Sequence, residues 1–174
     1  AYSLLLNTKY AYDYLHYLAD PRKEEATMYV NNTYRQQEVY LSMANRVTVL
    51  PFWDINLSVD YQWNKLNANL TDFPYPRRNT TLVAAATSLH FDRFKFQASV
   101  LGTFVHENVA SDTTSAGNKM EFTPTAIASY KPFKNIDFNL RAFYKRIFRM
   151  PTLNDLYYTF IGNIKLKPEY TNQY

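Results

Sequence analysis

The sequence predicts an all-β chain, an antiparallel up-and-down meander of seven to eight long strands, and three observations carry that prediction. Between Trp53 and Asn64 the odd positions read Trp53, Ile55, Leu57, Val59, Tyr61, Trp63. The even positions read Asp54, Asn56, Ser58, Asp60, Gln62, Asn64. Side chains alternate across a strand, so a period of two puts every apolar residue on one face and every polar residue on the other. The same alternation recurs along the chain. Finally, the connections alternate between short and long.

The elements follow in order. Tyr2, Leu4, Leu6, Tyr10, Tyr12, Tyr14 and Leu18 share one face of a first strand at 2–18. Val39, Leu41, Met43, Val47 and Val49 mark a second at 34–49, and the Trp53 stretch a third at 52–65. A weaker alternation gives a fourth at 79–91. Phe94, Phe96, Ala98, Val100, Gly102 and Phe104 define a fifth at 94–107. A sixth, again weaker, covers 119–131. Ile136, Phe138, Leu140, Ala142, Tyr144 and Phe148 define a seventh at 135–148, and an eighth begins near Lys167. These spans of about 13 to 17 residues exceed the usual strand length of about 5–6.

Leu50-Pro51, Asp92-Arg93 and Pro132-Phe133-Lys134 make the short gaps, whereas 19–33, 66–78, 108–118 and 149–166 are long and mostly polar. A sheet with tight turns at one end and long loops at the other has the form of an outer-membrane barrel. A soluble Greek-key sandwich has no reason to segregate its loops in this way.

The aromatic spacing agrees. Trp53 and Trp63 lie ten residues apart on one face, roughly 33 Å along a strand. A tilt of about 40° projects this to roughly 25 Å, the height of the apolar band between the aromatic girdles of such barrels. Phe94 and Phe104 repeat the interval, as do Phe138 and Phe148, although Arg146 interrupts the last strand. These six residues are the expected membrane girdle, and outer-membrane lipid the expected neighbour.

Composition narrows the chemistry. Among 174 residues there are 16 Tyr, 12 Phe and 2 Trp, but 3 Gly and no Cys. Disulfides, thiolate metal sites and a cysteine nucleophile are therefore excluded. The net charge of +4 is spread along the chain, which argues against a nucleic-acid partner. His16, His90 and His106 are isolated, so no metal or cofactor site is expected, and neither is an enzyme. His106 beside Glu107 is the one arrangement with iron or haem in reach. Asn31, Asn69 and Asn79 open glycosylation-like triplets, read here as chance. The best candidate for ligand contact is the aromatic and basic run Phe73-Pro74-Tyr75-Pro76-Arg77-Arg78, whose flat rings and cations suit anionic ligands.

Toward the C-terminus, Phe148-Arg149-Met150-Pro151-Thr152-Leu153-Asn154-Asp155-Leu156-Tyr157 is followed by Gly162-Asn163-Ile164-Lys165-Leu166-Lys167-Pro168-Glu169. This pair of motifs resembles the signature of TonB-dependent outer-membrane receptors, F-R-x-P-T-x-x-D-L-Y and then G-N-x-x-L-x-P-E. The tyrosine-rich style is similar to that of receptors from the Bacteroides group. The resemblance implies a roughly 22-stranded barrel with a plug. Its implied function is uptake of a scarce nutrient such as a ferric siderophore, haem or cobalamin, with glycans next, energised through a TonB partner. It implies ligand capture at the loops, with Tyr157 and Tyr158 joining Tyr75, Arg77, Arg78 and His106 as candidate contacts.

The motif residues Arg149, Pro151, Asn154, Asp155, Gly162, Asn163, Pro168 and Glu169 are expected to act mainly in structure. Pro151 cannot donate to a ladder, Asn154 and Asp155 suit a turn, and Gly162-Asn163 suits positive φ. The polar inner faces and strand-like ends suggest one partial barrel domain over 1–174, a fragment without its plug that would not transport by itself. A passive channel or adhesin, and a lipase with a Ser–His pair, are the alternatives.

Overall fold

A computed structural model describes residues 1–22, 28–110, 117–157 and 162–174. Eight strands form one antiparallel sheet in which spatial order equals chain order. They are β1 (Tyr2–Ala19), β2 (Val30–Leu50), β3 (Trp53–Ala68), β4 (Arg77–His90), β5 (Phe94–Asn108), β6 (Lys119–Tyr130), β7 (Leu140–Arg149) and β8 (Glu169–Gln173). A one-turn helix, α1 (Leu153–Tyr157), precedes β8. The meander predicted from alternation is therefore the observed architecture. β1 and β8 each have one hydrogen-bonded neighbour, so the sheet is open.

The register keeps each face uniform. Ile55 lies between Val47 and Thr87, Leu57 between Asn45 and Ala85, and Val59 between Met43 and Val83. Leu57 is 52% exposed and Val59 41%, whereas Asp54 is 5% and Asn64 8% exposed. Polar residues are thus the covered ones and apolar residues the exposed ones, the reverse of a soluble sheet. Polar side chains satisfy one another across strands. Asp60 accepts from Tyr40 and Ser42 at 3.1 and 2.7 Å, and Glu38 from Gln62 and Asn64 at 2.9 and 3.1 Å.

Strand bounds differ most at β7, which starts at Leu140 rather than at 135. Asp137 is held by Lys131 at 3.1 Å, and the Phe138 amide donates to the Ile136 carbonyl at 2.8 Å. That local bonding withdraws 135–139 from the ladder. Phe138 thus lies outside the strand, and its ten-residue interval to Phe148 is not measured along one element.

The far end of β7 also departs from simple alternation. The β6–β7 ladder stops at Thr125–Lys145, beside Pro124, which has no N–H to donate. Beyond it β7 pairs only with β8. Phe148 then lines a cavity together with Gln36, Gln62 and Thr103 on the polar face. Its cross-strand partner Tyr170 donates to Glu121 at 2.6 Å. The sequence expectation of an outward Phe148 is therefore corrected, because period two was counted through a break in the ladder.

A different strand supplies the repeated interval. Tyr2 and Tyr12 on β1 are ten residues apart on the exposed apolar face, at 64% and 50% exposure. Tyr2 is level with Ile55, two residues above Trp53, and Tyr12 is level with Lys65, two above Trp63. Phe94 lies two residues below the level of Trp53, whose row ends at Phe96, and Phe104 is level with Tyr61, two below Trp63. Both aromatic lines therefore drop two residues for every two strands. At about 3.3 Å per residue and about 4.8 Å per strand, the slope is roughly 35°, within the strand tilt of membrane barrels.

Candidate functional site: the long-loop end

The long loops meet on the polar face, where the chain builds its one apolar core among the described residues. Tyr34 from β2, Leu66 from β3 and Phe73 from the following loop pack against Leu153, Leu156 and Tyr157 of α1. Leu66 is fully covered, and α1 buries Leu153 and Leu156 on one side of its single turn. The helix begins with a reciprocal cap. The Thr152 amide donates to Asp155 Oδ2 at 2.9 Å, and the Asp155 amide donates to Thr152 Oγ1 at 3.2 Å. This is the S/T-x-x-acid capping box. Those bonds, with Arg149 and Arg78 nearby, hold the Asp155 carboxyl below its ordinary range.

A buried clasp fixes α1 to the wall. Arg78 on β4 donates through Nε and Nη2 to Glu107 Oε2 on β5 at 3.0 and 2.8 Å, and through Nη1 to the Pro151 carbonyl at 2.6 Å. The Tyr157 hydroxyl donates to the other Glu107 oxygen. The ion-paired side chains are 8% and 0% exposed. A charge pair at that depth survives because the guanidinium fork and the phenol satisfy the carboxylate together. Under the clasp lies a cavity of about 410 Å³. Gln36, Gln62, Asn64 and Thr80 offer amides and a hydroxyl to it, while Leu101 and Leu153 supply apolar wall.

The candidate contacts do not form one cluster. Arg78 has its donors engaged within the chain, so it anchors the wall rather than offering a free cation. Phe73 and Pro76 are buried, leaving Tyr75, 39% exposed, and exposed Arg77 at the surface. Tyr75 has φ 46°, a left-handed conformation that is costly for a bulky side chain. Its ring meets Phe73 edge-on at 5.4 Å. His106 points to the apolar face and Glu107 to the polar face, since neighbours on a strand diverge; they cannot share a metal. Tyr157 is buried in the clasp, and Tyr158 lies outside the described residues.

The signature residues divide in the same way. Pro151 lends its carbonyl to Arg78, and Arg149 approaches Glu169 at 4.0 Å across β7–β8. The Asn163 amide donates to the Asp155 carbonyl at 2.8 Å, and Asn163 Oδ1 accepts from the Lys165 amide at 2.9 Å. Gly162 and Pro168 flank this turn. Asn154 is partly buried, its Oδ1 without a partner among the described residues. Sequence reasoning missed the Arg78–Glu107–Tyr157 clasp, which joins three distant segments. It also missed the capping box, which was visible as Thr152-x-x-Asp155.

No curated protein matches this sequence. The family model for the TonB dependent receptor-like β-barrel matches residues 1–174, the whole chain. The inverted polarity, the meander and the two coupled motifs all agree with that match. The chain belongs to the TonB-dependent receptor β-barrel family, a family of outer-membrane receptors and transporters of Gram-negative bacteria.

Proposed function

We propose that this chain is part of the wall of a larger, roughly 22-stranded barrel that captures a scarce nutrient at its long loops and imports it with TonB-supplied energy. The observation that carries this reading is the pair of parallel aromatic lines, Tyr2–Trp53–Phe94 and Tyr12–Trp63–Phe104. They bracket the exposed aliphatic band at the slope that tilted strands give. Such a wall places the apolar face in lipid and the polar face toward a plug-filled bore, with further strands continuing from β1 and β8. The reading makes the protein a transporter rather than an enzyme.

Capture belongs to the long-loop end, where strained Tyr75 packs on Phe73 of the core that holds α1 and exposed Arg77 opens β4 on the face opposite Arg78. Ring and cation together suit an iron complex, haem or cobalamin. A glycan is the second reading, favoured by the amides and hydroxyl of the 410 Å³ cavity. A strain lacking the full gene decides between them when grown on each nutrient as sole source. Loss of growth on one nutrient, reproduced by removing TonB and restored by the gene, supports import. Wild-type growth on all of them rejects it. Tyr75→Ala with Arg77→Ala should lower binding of the identified nutrient while leaving barrel assembly intact.

A further inference from the structure

On strands β1 to β6 the apolar face carries no acid, and its fixed cations are Arg35, Lys65 and Arg77. The register brings these three together. Lys65 on β3 is directly opposite Arg77 on β4, and Arg35 on β2 is opposite Asn67, two residues beyond Lys65. Directly opposed side chains start about 4.5–5.5 Å apart and diagonal ones about 7–8 Å. The three cations thus share two strand spacings, about 10 Å.

Their height follows the upper aromatic line. That line runs from Tyr12 through Trp63 to Phe104, so it crosses β2 level with Glu38 and β4 level with Thr80. Arg35, Lys65 and Arg77 stand three, two and three residues beyond it toward the long loops, about 7–10 Å along their strands. His106, two residues beyond Phe104, continues the row on β5. Aromatic girdles mark the edge of the hydrocarbon, which puts this row at headgroup level. Arg35 and Arg77 are exposed and Lys65 is half-buried. None of the three makes an ion pair among the described residues. Of the loop acids at this end, Asp20 is held by Arg22 at 3.1 Å, Asp72 makes no ion pair, and Glu24, Glu25 and Asp112 lie outside the described residues. Like charges directly opposite one another weaken a sheet. Beside Arg35 lies a recess of about 260 Å³, lined also by Tyr14, Thr33, Asn67 and Asn69. Asn69 Oδ1 accepts the Thr33 amide at 2.8 Å, which fixes that wall.

We infer that Arg35, Lys65 and Arg77 form a binding site for an outer-leaflet lipid whose headgroup carries more than one phosphate. The inference rests on the barrel-wall reading above, which places this face in lipid and the long loops outside. Charge complementarity selects the occupant. A phosphate between Lys65 and Arg77 accepts charge-assisted hydrogen bonds from both and removes their repulsion. A second phosphate meets Arg35, where the recess offers the Asn67 amide to the rest of the headgroup. The lipid's chains then lie over Val59 and Val83, 41% and 43% exposed below the aromatic line. A headgroup with a single phosphate would leave one end of the row uncompensated.

For the test, the full-length receptor is placed in phosphatidylcholine nanodiscs containing bisphosphoryl lipid A, and native mass spectrometry counts the lipid A it retains. The wild type should retain this lipid and release its dephosphorylated form. Arg77 also belongs to the proposed capture site, so it is left intact. Arg35→Ala with Lys65→Ala should cut retention roughly 30-fold, at about fivefold per cation removed from a membrane surface. Lys65→Gln alone should lose about fivefold, which keeps the test decisive if the double variant does not assemble. Lys9→Ala, on the polar face, should retain the lipid as the wild type does. Unchanged retention in the Arg35 and Lys65 variants, equal retention of the dephosphorylated lipid, or displacement by inorganic phosphate, the mark of a free-anion site, overturns the inference. Depth quenching of Trp53 and Trp63 judges the barrel wall separately. Girdle depths combined with unchanged retention would reject this site and leave the wall standing.

Discussion

Tyr157 donates its phenolic hydrogen to the carboxylate of Glu107 across 50 residues of chain. The same carboxylate receives two N–H groups from Arg78, so one acidic group holds β4, β5 and α1 together. Removing a single partner leaves buried charge behind. Glu107→Ala should cost about 3–5 kcal/mol, the range for breaking a buried pair. Arg78→Met combined with Glu107→Leu should recover most of that loss. Urea unfolding of the full receptor in vesicles, read beside hydrogen exchange in 150–157, checks both.

The capping box predicts an acid transition. The Asp155 carboxyl is held below its ordinary value of 3.8, chiefly by the Thr152 amide and then by the Thr152 hydroxyl. A depressed folded-state pKa gives stability that is full above the unfolded value and lost as pH falls through the folded one. Exchange protection of α1, corrected for intrinsic rates, should therefore hold steady down to about pH 4 and drop below it. Asp155→Asn should lower protection at neutral pH and flatten the profile. An unchanged acid drop in that variant would assign the transition to another group.

Gly102 lets two rings meet. A Cβ there would lie 3.1 Å from the Phe104 ring and 3.2 Å from Phe122, whose rings cross at 89° with centroids 6.0 Å apart. Both are side-chain ends on the exposed face, so Gly102→Ala should be tolerated after a small ring shift. Gly102→Val should separate the pair and lose about 0.5–1.5 kcal/mol of aromatic contact. Refolding yields and urea midpoints in lipid vesicles compare the two.

The aromatic lines make a depth prediction. In full-length variants with a single Trp, Trp53 and Trp63 should be quenched best by lipids brominated near the headgroup. A Leu57→Trp variant should be quenched best by lipids brominated deep in the chains. The same depth at all three positions would contradict a lipid-facing band.

Alternation made the sheet legible because each residue on β3 obeys one rule: odd to the apolar side, even to the polar side. Its direction also showed in the polar residues, since Asp54, Asp60 and Gln62 repeat too regularly for a loop. The rule failed at β7, where Pro124 on the neighbouring strand β6 ends the ladder at Thr125–Lys145. Neither Phe138 nor Phe148 carried a local sign of that interruption. At the site, Pro151 and Asp155 revealed a turn, and Thr152 between them was the unread half of a helix cap. The Arg78–Glu107–Tyr157 contact had no local signature, because it exists only after three separate segments converge.

Neighbouring strands in this sheet are also consecutive in the chain. Assembly can therefore advance hairpin by hairpin, each new strand zipping onto its immediate predecessor and closing only a modest loop. The growing margin stays ready for its successor, and the clasp can form only once β5 and α1 have both been laid down. Pairing and locking thus become successive stages, with the long-loop end fastened only after the strands beneath it are in place.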